Sequence, residues 1–196
     1  MKLKYILFIL VVAFAYGCRK ASFLDARPDN ALVIPTTIED LQSILDNDWY
    51  INGGTNEGII PSIGEAATDD YFIGEAIYSI LGQQSKKIYT WDTNLYTGEE
   101  IFDWASPYRA IFYCNVVLDG LENLPVDQRL TKEYQNVLGS ALFIRAHLFY
   151  QLAQVFAPVY DASTAATEWG IPLRLKADVN EPIVRATVEE TYTRIR

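Results

Sequence analysis

The longest hydrophobic pattern in the chain covers residues 132–156 and predicts a helix at the centre of the core. Apolar residues recur at three- and four-residue spacing along one face, and a second apolar set covers much of the opposite face. A helix that is apolar on most sides needs neighbours on several sides. Arg145 interrupts the main stripe, so its guanidinium is predicted to find carboxylate or carbonyl partners inside the scaffold. Pro158 ends the pattern because proline cannot donate a backbone hydrogen bond.

A second helical pattern, over residues 99–124, comes before it along the chain. Acidic residues fall in its first turn, where the helix dipole favours negative charge. Pro107 would either kink this helix or start its main part with Ser106 as the cap. The connecting loop, residues 126–130, is short, so the two long helices are predicted to form an antiparallel hairpin.

Capping signatures predict two shorter helices near the ends of the chain. Thr37 precedes an amphipathic stretch over residues 38–47, and Asp40 follows three residues after the cap. Thr187 and Glu190 form a capping-box pattern, so a new helix is predicted to begin at Thr187, after a loop-rich connection over residues 161–186. The sequence stops about two turns into that helix, and we therefore expect a truncated C-terminus.

Residues 48–98 are rich in glycine, proline and aromatic residues, and long regular elements are not expected there. A short helical turn is predicted over residues 77–81, and a short extended piece over residues 88–91. Together, the patterns predict an all-α fold in which an irregular, loop-rich insertion packs over a helical scaffold.

The first seventeen residues predict export from the cytoplasm. Lys2 and Lys4 precede an apolar run over residues 5–15, which is too short to span a bilayer and is typical of a signal peptide. Cys18 follows a small residue at the expected cleavage point, as in a bacterial lipobox, and is predicted to carry the lipid. The alternative is an ordinary secretory signal with a free Cys18. The predicted organisation is therefore a signal peptide, 1–17, and one domain, 18–196.

Charge and residue counts exclude several classes of function. The net charge is −9, and −11 once the signal peptide is removed, which argues against binding to nucleic acid or to anionic lipid. His147 is the only histidine, so a multi-histidine metal site is excluded, and its place in the central helix favours packing. No phosphate loop or dinucleotide fingerprint occurs, and no cofactor is predicted. Cys114 is predicted to be a small core residue.

The sequence gives only weak support for an enzymatic function. Asp69 and Asp70 invite comparison with the paired carboxylates of glycosidases, but adjacent residues usually point in different directions, so a turn or a solvated face explains them better. There is also no nucleophile elbow. A surface glycoside hydrolase therefore stays the weaker alternative.

The aromatic residues of the insertion offer the chemistry of glycan recognition, in which sugar faces stack on rings and nearby amides or carboxylates bind the hydroxyls. Packing inside the fold is the competing explanation for each of them. The polar companions are Asn47, Asn52, Asn56, Asp92 and Asn94. The predicted ligand-binding residues are Trp49, Tyr50, Tyr89, Trp91, Tyr96 and Asn94.

Seven short motifs, in order along the chain, resemble the SusD/RagB family of outer-membrane nutrient-binding lipoproteins. Three lie at or near the helix starts and in the insertion: residues 35–41 (PTTIEDL), 68–71 (TDDY) and 89–92 (YTWD). Two lie in the long helices: Trp104 with residues 115–118 (NVVL), and residues 139–152 around Arg145. The last two are residues 170–173 (GIPL) and 185–192, and residues 23–25 after Cys18 belong with residues 35–41 to one opening motif.

The resemblance implies a tetratricopeptide-like helical-hairpin scaffold and docking onto a TonB-dependent, SusC-like outer-membrane transporter. It implies a surface-exposed, lipid-anchored, non-enzymatic protein at the outer membrane that takes an oligosaccharide, or a peptide as in RagB-like members, and delivers it to the transporter. Trp104, Asn115 and Arg145 are predicted to be structural. A truncated helical interaction module without its own ligand is the remaining alternative.

Overall fold

The computed structural model describes residues 35–51, 58–96, 98 and 100–196, and seven α-helices form most of this part. The two long helices, Phe102–Glu122 and Lys132–Phe156, are connected by the short 3₁₀ turn Gln128–Leu130. A two-stranded antiparallel ribbon precedes the last helix. The elements in chain order are α1 (Ile38–Leu45), α2 (Ile63–Ala66), α3 (Glu75–Ile80), α4 (Gln83–Tyr89), α5 (Phe102–Glu122), α6 (Lys132–Phe156), β1 (Trp169–Pro172), β2 (Arg185–Thr187) and α7 (Val188–Ile195).

The hairpin of α5 and α6 holds the centre of the core, as the hydrophobic pattern predicts. Thr131 caps α6 by accepting a hydrogen bond from the Tyr134 amide. Helix α5 begins at Phe102 and continues through Pro107, so Ser106 does not start it. A proline this close to the start of a helix removes one backbone bond, and both Ser106 and Pro107 are buried against neighbours that hold the helix together.

Helix α1 lies across the hairpin and contacts both long helices. Its Thr37–Asp40 capping box forms as predicted, and Leu41 and Leu45 enter the core. Gly120 of α5 makes the close approach possible, because a Cβ there would lie 2.5 Å from Leu41 Cδ2. The amphipathic pattern therefore identified both the helix and the face that it buries.

Two stretches differ from the local prediction. Residues 88–91 were predicted to be extended, but Ile88 and Tyr89 complete α4, because the preceding Gln83–Lys87 segment favours a helix that they continue. The loop predicted over residues 161–186 contains β1 and β2, whose pairing joins Trp169 to Thr187 and Pro172 to Arg185. A strand of three or four residues is too short for period-two patterning to show in the sequence.

The last helix, α7, begins after Thr187 with the predicted capping box. Two turns are too few for stability in isolation, and α7 is held by packing on α6 and β1. The Gln154 side chain of α6 donates to the Tyr192 hydroxyl at 2.7 Å, and Val188 and Thr191 are fully buried. Packing therefore explains a helix that its length alone would not support.

The all-α prediction is confirmed, with a small β-ribbon as the one addition in the described part. The tetratricopeptide-like repeat of helix pairs stays a prediction. None of the helices in the described part of the chain is long and hydrophobic enough to cross a membrane.

Candidate functional site

Trp91 presents its indole to solvent from a strained turn at the end of α4. The side chain is 73% exposed, and its φ of 55° makes it the only non-glycine residue with positive φ in the described part of the chain. The Trp91 amide donates to the Ile88 carbonyl, and the Asp92 amide donates to the Lys87 carbonyl. These are the two bonds of a Schellman motif, whose left-handed position is usually occupied by glycine.

The polar residues beside Trp91 are held in a tight turn. The Asp92 carboxylate accepts a hydrogen bond of 2.8 Å from the Asn94 amide, and the side chains of both residues are exposed. An exposed indole, a carboxylate and a side-chain amide thus follow one another within four residues. This combination can stack on a sugar face and bind its hydroxyls.

Tyr89, the last residue of α4 before this turn, packs against two other tyrosine rings. Its ring lies 6.0 Å, centroid to centroid, from both Tyr71 and Tyr78, and its hydroxyl accepts from the Ile73 amide at 3.0 Å. Lys86 lies over the Tyr78 ring at 5.6 Å. The structure therefore places Tyr89 in an aromatic cluster that holds α3 and α4 together.

Trp49, Tyr50 and Tyr96 lie in three different settings. Tyr50 stacks on Tyr113 of α5 with centroids 4.7 Å apart, whereas Trp49 is 62% exposed. Within the described residues, neither Trp49 nor Trp91 contacts another aromatic ring. The Tyr96 hydroxyl is buried without a hydrogen-bond partner in that same part of the chain, and burial raises its pKa. Asn52 and Asn56 lie outside the described residues.

Arg145 and Asn115 form a buried polar pair between the long helices. Asn115 is fully buried and Arg145 is 8% exposed. The Arg145 guanidinium donates to Asn115 Oδ1 at 2.8 Å and to the Leu175 carbonyl at 3.5 Å, so a side-chain amide and a carbonyl serve as its partners. Burial lowers the pKa of Arg145, because removal from water disfavours the charged form.

The same pair fixes the segment that follows β1. Asn115 Nδ2 donates to the carbonyls of Arg174 and Lys176, and Asp119 accepts from the Ala177 amide at 3.1 Å. Two turns before Asn115 on α5, the Tyr108 hydroxyl donates to the Pro172 carbonyl at 2.8 Å. Polar side chains along one face of α5 therefore hold residues 172–177 against the helix.

This arrangement leaves a groove of about 350 Å³ between α5 and residues 172–183. Trp104 packs on Tyr108 with centroids 4.8 Å apart and meets Phe156 edge-on. The guanidinium of Arg174 is held by the carbonyls of Asp178 and Glu181. The groove-lining residues are Trp104, Tyr108, Arg109, Phe112, Asn115, Pro172, Arg174, Lys176, Val179 and Ile183.

A family model described as "Starch-binding associating with outer membrane" matches residues 22–196. The chain belongs to the SusD-like family. The description of the family model names starch binding and association with the outer membrane as properties of the family.

Solved structures agree with the SusD-like fold. A crystal structure of a SusD superfamily protein from Bacteroides thetaiotaomicron superimposes with a TM-score of 0.61 at 19% sequence identity. The match covers 81% of this chain and 35% of that one, so this SusD-like chain spans about a third of the solved protein's length. No curated protein matches it in sequence.

Several other candidate residues of the SusD-like chain are not among the residues that form the Trp91 turn or line the groove. Cys114 is buried and unpaired, and burial raises its pKa to about 12. His147 is partly buried and stacks on Phe143, and Asp69 and Asp70 are exposed. Cys18 lies outside the described residues. Among the residues that are described, no group of three metal-ligating side chains comes together.

The groove is a site that the sequence reasoning missed. Trp104, Tyr108 and Phe112 recur at four-residue spacing within the helical pattern of residues 99–124, so they form a stripe on one face of α5. The opposite wall comes from residues 172–183, and no local pattern indicates which face of which helix a loop will cover. An aromatic stripe continued by Asn115 and Asp119 on one helix face is the signal that could have pointed to the groove.

Proposed function

We propose that this SusD-like chain captures an oligosaccharide without chemically altering it, through the exposed surface around Trp91. The observation that carries the proposal is a tryptophan held in a left-handed backbone position while 73% of its side chain faces solvent. A non-glycine residue in this conformation costs about 1 kcal/mol or more. Its exposed side chain contributes little packing to offset that cost, which favours a binding role over a structural one.

The neighbouring residues fit distinct parts of that role. Trp91 supplies the apolar face on which a sugar stacks, and Asn94 with Asp92 supplies hydrogen-bonding groups beside it. Tyr89 positions the turn through its contacts with Tyr71 and Tyr78. Trp49, which is also exposed, is a further candidate for ligand contact, whereas the stacking of Tyr50 on Tyr113 favours a packing role.

Replacing Trp91 with glycine should separate stability from binding. We expect the free energy of unfolding to rise by about 1 kcal/mol, because glycine accepts the left-handed conformation. Affinity for a neutral probe such as maltoheptaose should fall by about tenfold or more, because the stacking face is lost. Chemical denaturation and titration calorimetry on the same preparation measure the two effects.

Two further variants control this experiment. Trp91→Ala removes the indole but keeps a side chain in the strained position, so binding should fall while stability stays near that of the wild type. Trp169→Ala removes another exposed indole, 63% exposed in β1, and should leave maltoheptaose binding unchanged. If Trp91→Gly binds maltoheptaose as tightly as the wild type does, the proposed site is wrong.

We propose further that Cys18 is lipidated and anchors the protein at the outer-membrane surface, where it passes its ligand to a TonB-dependent, SusC-like transporter. The lipobox-like residues before Cys18 and the family's association with the outer membrane support this placement. Two acyl chains on one cysteine anchor a protein stably, so no membrane-spanning helix is required. A peptide ligand, as in RagB-like members, and a helical interaction module without a ligand remain the competing functions.

Fractionation of native membranes tests the anchor and the partner together. Wild-type protein, tagged at its C-terminus, should be recovered in the outer-membrane fraction with a large TonB-dependent transporter. Cys18→Ala should shift the protein to the soluble fraction, because the acylation site is gone. Continued membrane association of Cys18→Ala would contradict lipid anchoring, and recovery of the wild type without a transporter would contradict the delivery role.

A further inference from the structure

The rim of the groove between α5 and residues 172–183 carries three positive charges that have no acidic partner among the described residues. Arg109, Arg174 and Lys176 line it, and none of the described residues that line it is acidic. Within the part of the chain that the structure describes, these three cations form no ion pair: Arg109 donates to the Ser106 hydroxyl, and Arg174 to two backbone carbonyls. A groove lined by three cations and no described acidic residue is unusual in a chain with 25 acidic and 16 basic residues.

In contrast to its charged rim, the groove has an aromatic and apolar wall. Trp104, Tyr108 and Phe112 recur at four-residue spacing and therefore lie on one face of α5. Pro172 and Ile183 complete the apolar surface from the other side. A groove with aromatic walls and a few directed polar groups binds rings that have one apolar face and polar edges.

Hydrogen bonds within the protein hold the backbone that forms one wall of the groove, so the groove is preformed. Tyr108, Asn115 and Asp119 each hydrogen-bond the backbone of residues 172–177, and Arg174 ties its own loop through the carbonyls of Asp178 and Glu181. Burial raises the pKa of the Tyr108 hydroxyl in this groove, and the positive charges of Arg185 and Arg174 partly oppose that rise. Preorganised donors lower the cost of binding because little ordering remains to be done.

We propose that this groove binds the carboxylate of an acidic sugar, so that the glycan recognised by the protein contains uronate residues. The sugar ring stacks along Trp104, Tyr108 and Phe112, and Arg109 and Lys176 receive its carboxylate. Guanidinium and ammonium groups form their strongest hydrogen bonds with such anions. A neutral sugar would use the aromatic wall and leave the cations unpaired. The inference rests on the proposed glycan-binding function and names the ligand class of a second contact surface.

Tetragalacturonate and its fully methyl-esterified form are the decisive pair of probes, because esterification removes the negative charges and leaves the sugar backbone unchanged. On the full-length wild-type protein, we expect the charged form to bind at least about tenfold more tightly, as loss of one charge-assisted hydrogen bond would predict. This preference should weaken as salt is raised, because exposed charges are screened. Titration calorimetry measures both effects without any substitution.

A double variant assigns the preference to the groove. Arg109→Gln with Lys176→Gln changes two exposed side chains, so the fold should be retained, and it should abolish the preference for tetragalacturonate. Arg174 is left in place because its carbonyl bonds hold the loop. The matched control is Lys132→Gln, an exposed cation at the start of α6, which should leave the preference unchanged.

Three results would overturn the proposal: equal binding of the two forms, wild-type preference in the double variant, or binding of penta-glutamate in place of tetragalacturonate. Maltoheptaose separates this failure from failure of the broader function. If maltoheptaose binds through Trp91 while tetragalacturonate shows no preference, only the groove proposal is wrong. If no glycan binds, the glycan-binding function and the groove proposal both fail.

Discussion

Asn115→Leu is expected to lower the free energy of unfolding by about 3–5 kcal/mol, the range for a buried charge that loses its partner. Asn115 is fully buried, accepts from Arg145 at 2.8 Å, and donates to the carbonyls of Arg174 and Lys176. Leucine has a similar volume, so little cavity forms. The loss comes from a buried guanidinium and two loop carbonyls that would need new partners. Denaturant unfolding monitored by circular dichroism measures it.

A double-mutant cycle with Arg145 separates the buried charge from the loop contacts. Arg145→Leu alone should cost about 1–3 kcal/mol, because it leaves Asn115 Oδ1 unsatisfied but removes a desolvated cation. The double variant Asn115→Leu/Arg145→Leu should be less destabilised than the sum of the two single variants, because no buried charge remains. Additive losses would show that the two side chains are not energetically coupled.

Asn136→Leu is the matched control for the change from amide to alkyl. Asn136 is exposed on α6 and makes no hydrogen bond through its side chain among the described residues, so stability should change by less than about 0.5 kcal/mol. A loss at Asn136 comparable to that at Asn115 would mean that the chemistry of the substitution, and not the buried pair, determines the effect.

Gly170→Ala is expected to destabilise the fold by about 3 kcal/mol, at the upper end of the usual cost of overpacking. A Cβ at this position would lie 2.3 Å from Thr191 Oγ1 and 2.6 Å from the Thr187 carbonyl oxygen. The carbonyl belongs to the backbone at the β2–α7 junction, so it cannot rotate away as a flexible side chain would. Thermal and denaturant unfolding report the change.

Gly139→Ala is the companion variant and should have the opposite sign. Gly139 lies in the interior of α6, and a Cβ there would meet nothing within 4 Å. Alanine in a helix interior should therefore stabilise the protein by about 0.5–1 kcal/mol. If Gly139→Ala and Gly170→Ala changed stability equally, contact at Thr191 and Thr187 would not be the cause of the loss at Gly170.

The contrast between Trp91 and Trp104 shows why aromatic content alone does not locate a site. Both residues belong to motifs that resemble the SusD/RagB family, and both carry the same side chain. The structure exposes the Trp91 indole on a strained turn and packs Trp104 against Tyr108 and Phe156. Burial is decided by neighbours that are distant along the chain, so local composition cannot distinguish the two.

The sequence shows the aromatic stripe of α5, but it does not show which segment forms the other wall of the groove. Asn115 and Tyr108 contact residues about 60 positions later, with separations of 59 between Asn115 and Arg174 and 64 between Tyr108 and Pro172. Residues 172–183 have no regular period that would assign them to a helix face. The three cations come together only because this loop is held against α5.

The sequence by itself determined the helical fold class, the bounds of α6, the capping boxes at Thr37 and Thr187, and the family resemblance. These features depend on local periodicity and on residues within one or two turns, which is the range over which side-chain type acts directly on the backbone. Only the tertiary structure decided the partners of Arg145, the close approach at Gly170, the exposure of Trp91 and the charged groove. Each of these depends on which distant segments meet, and that is set by packing of the whole core.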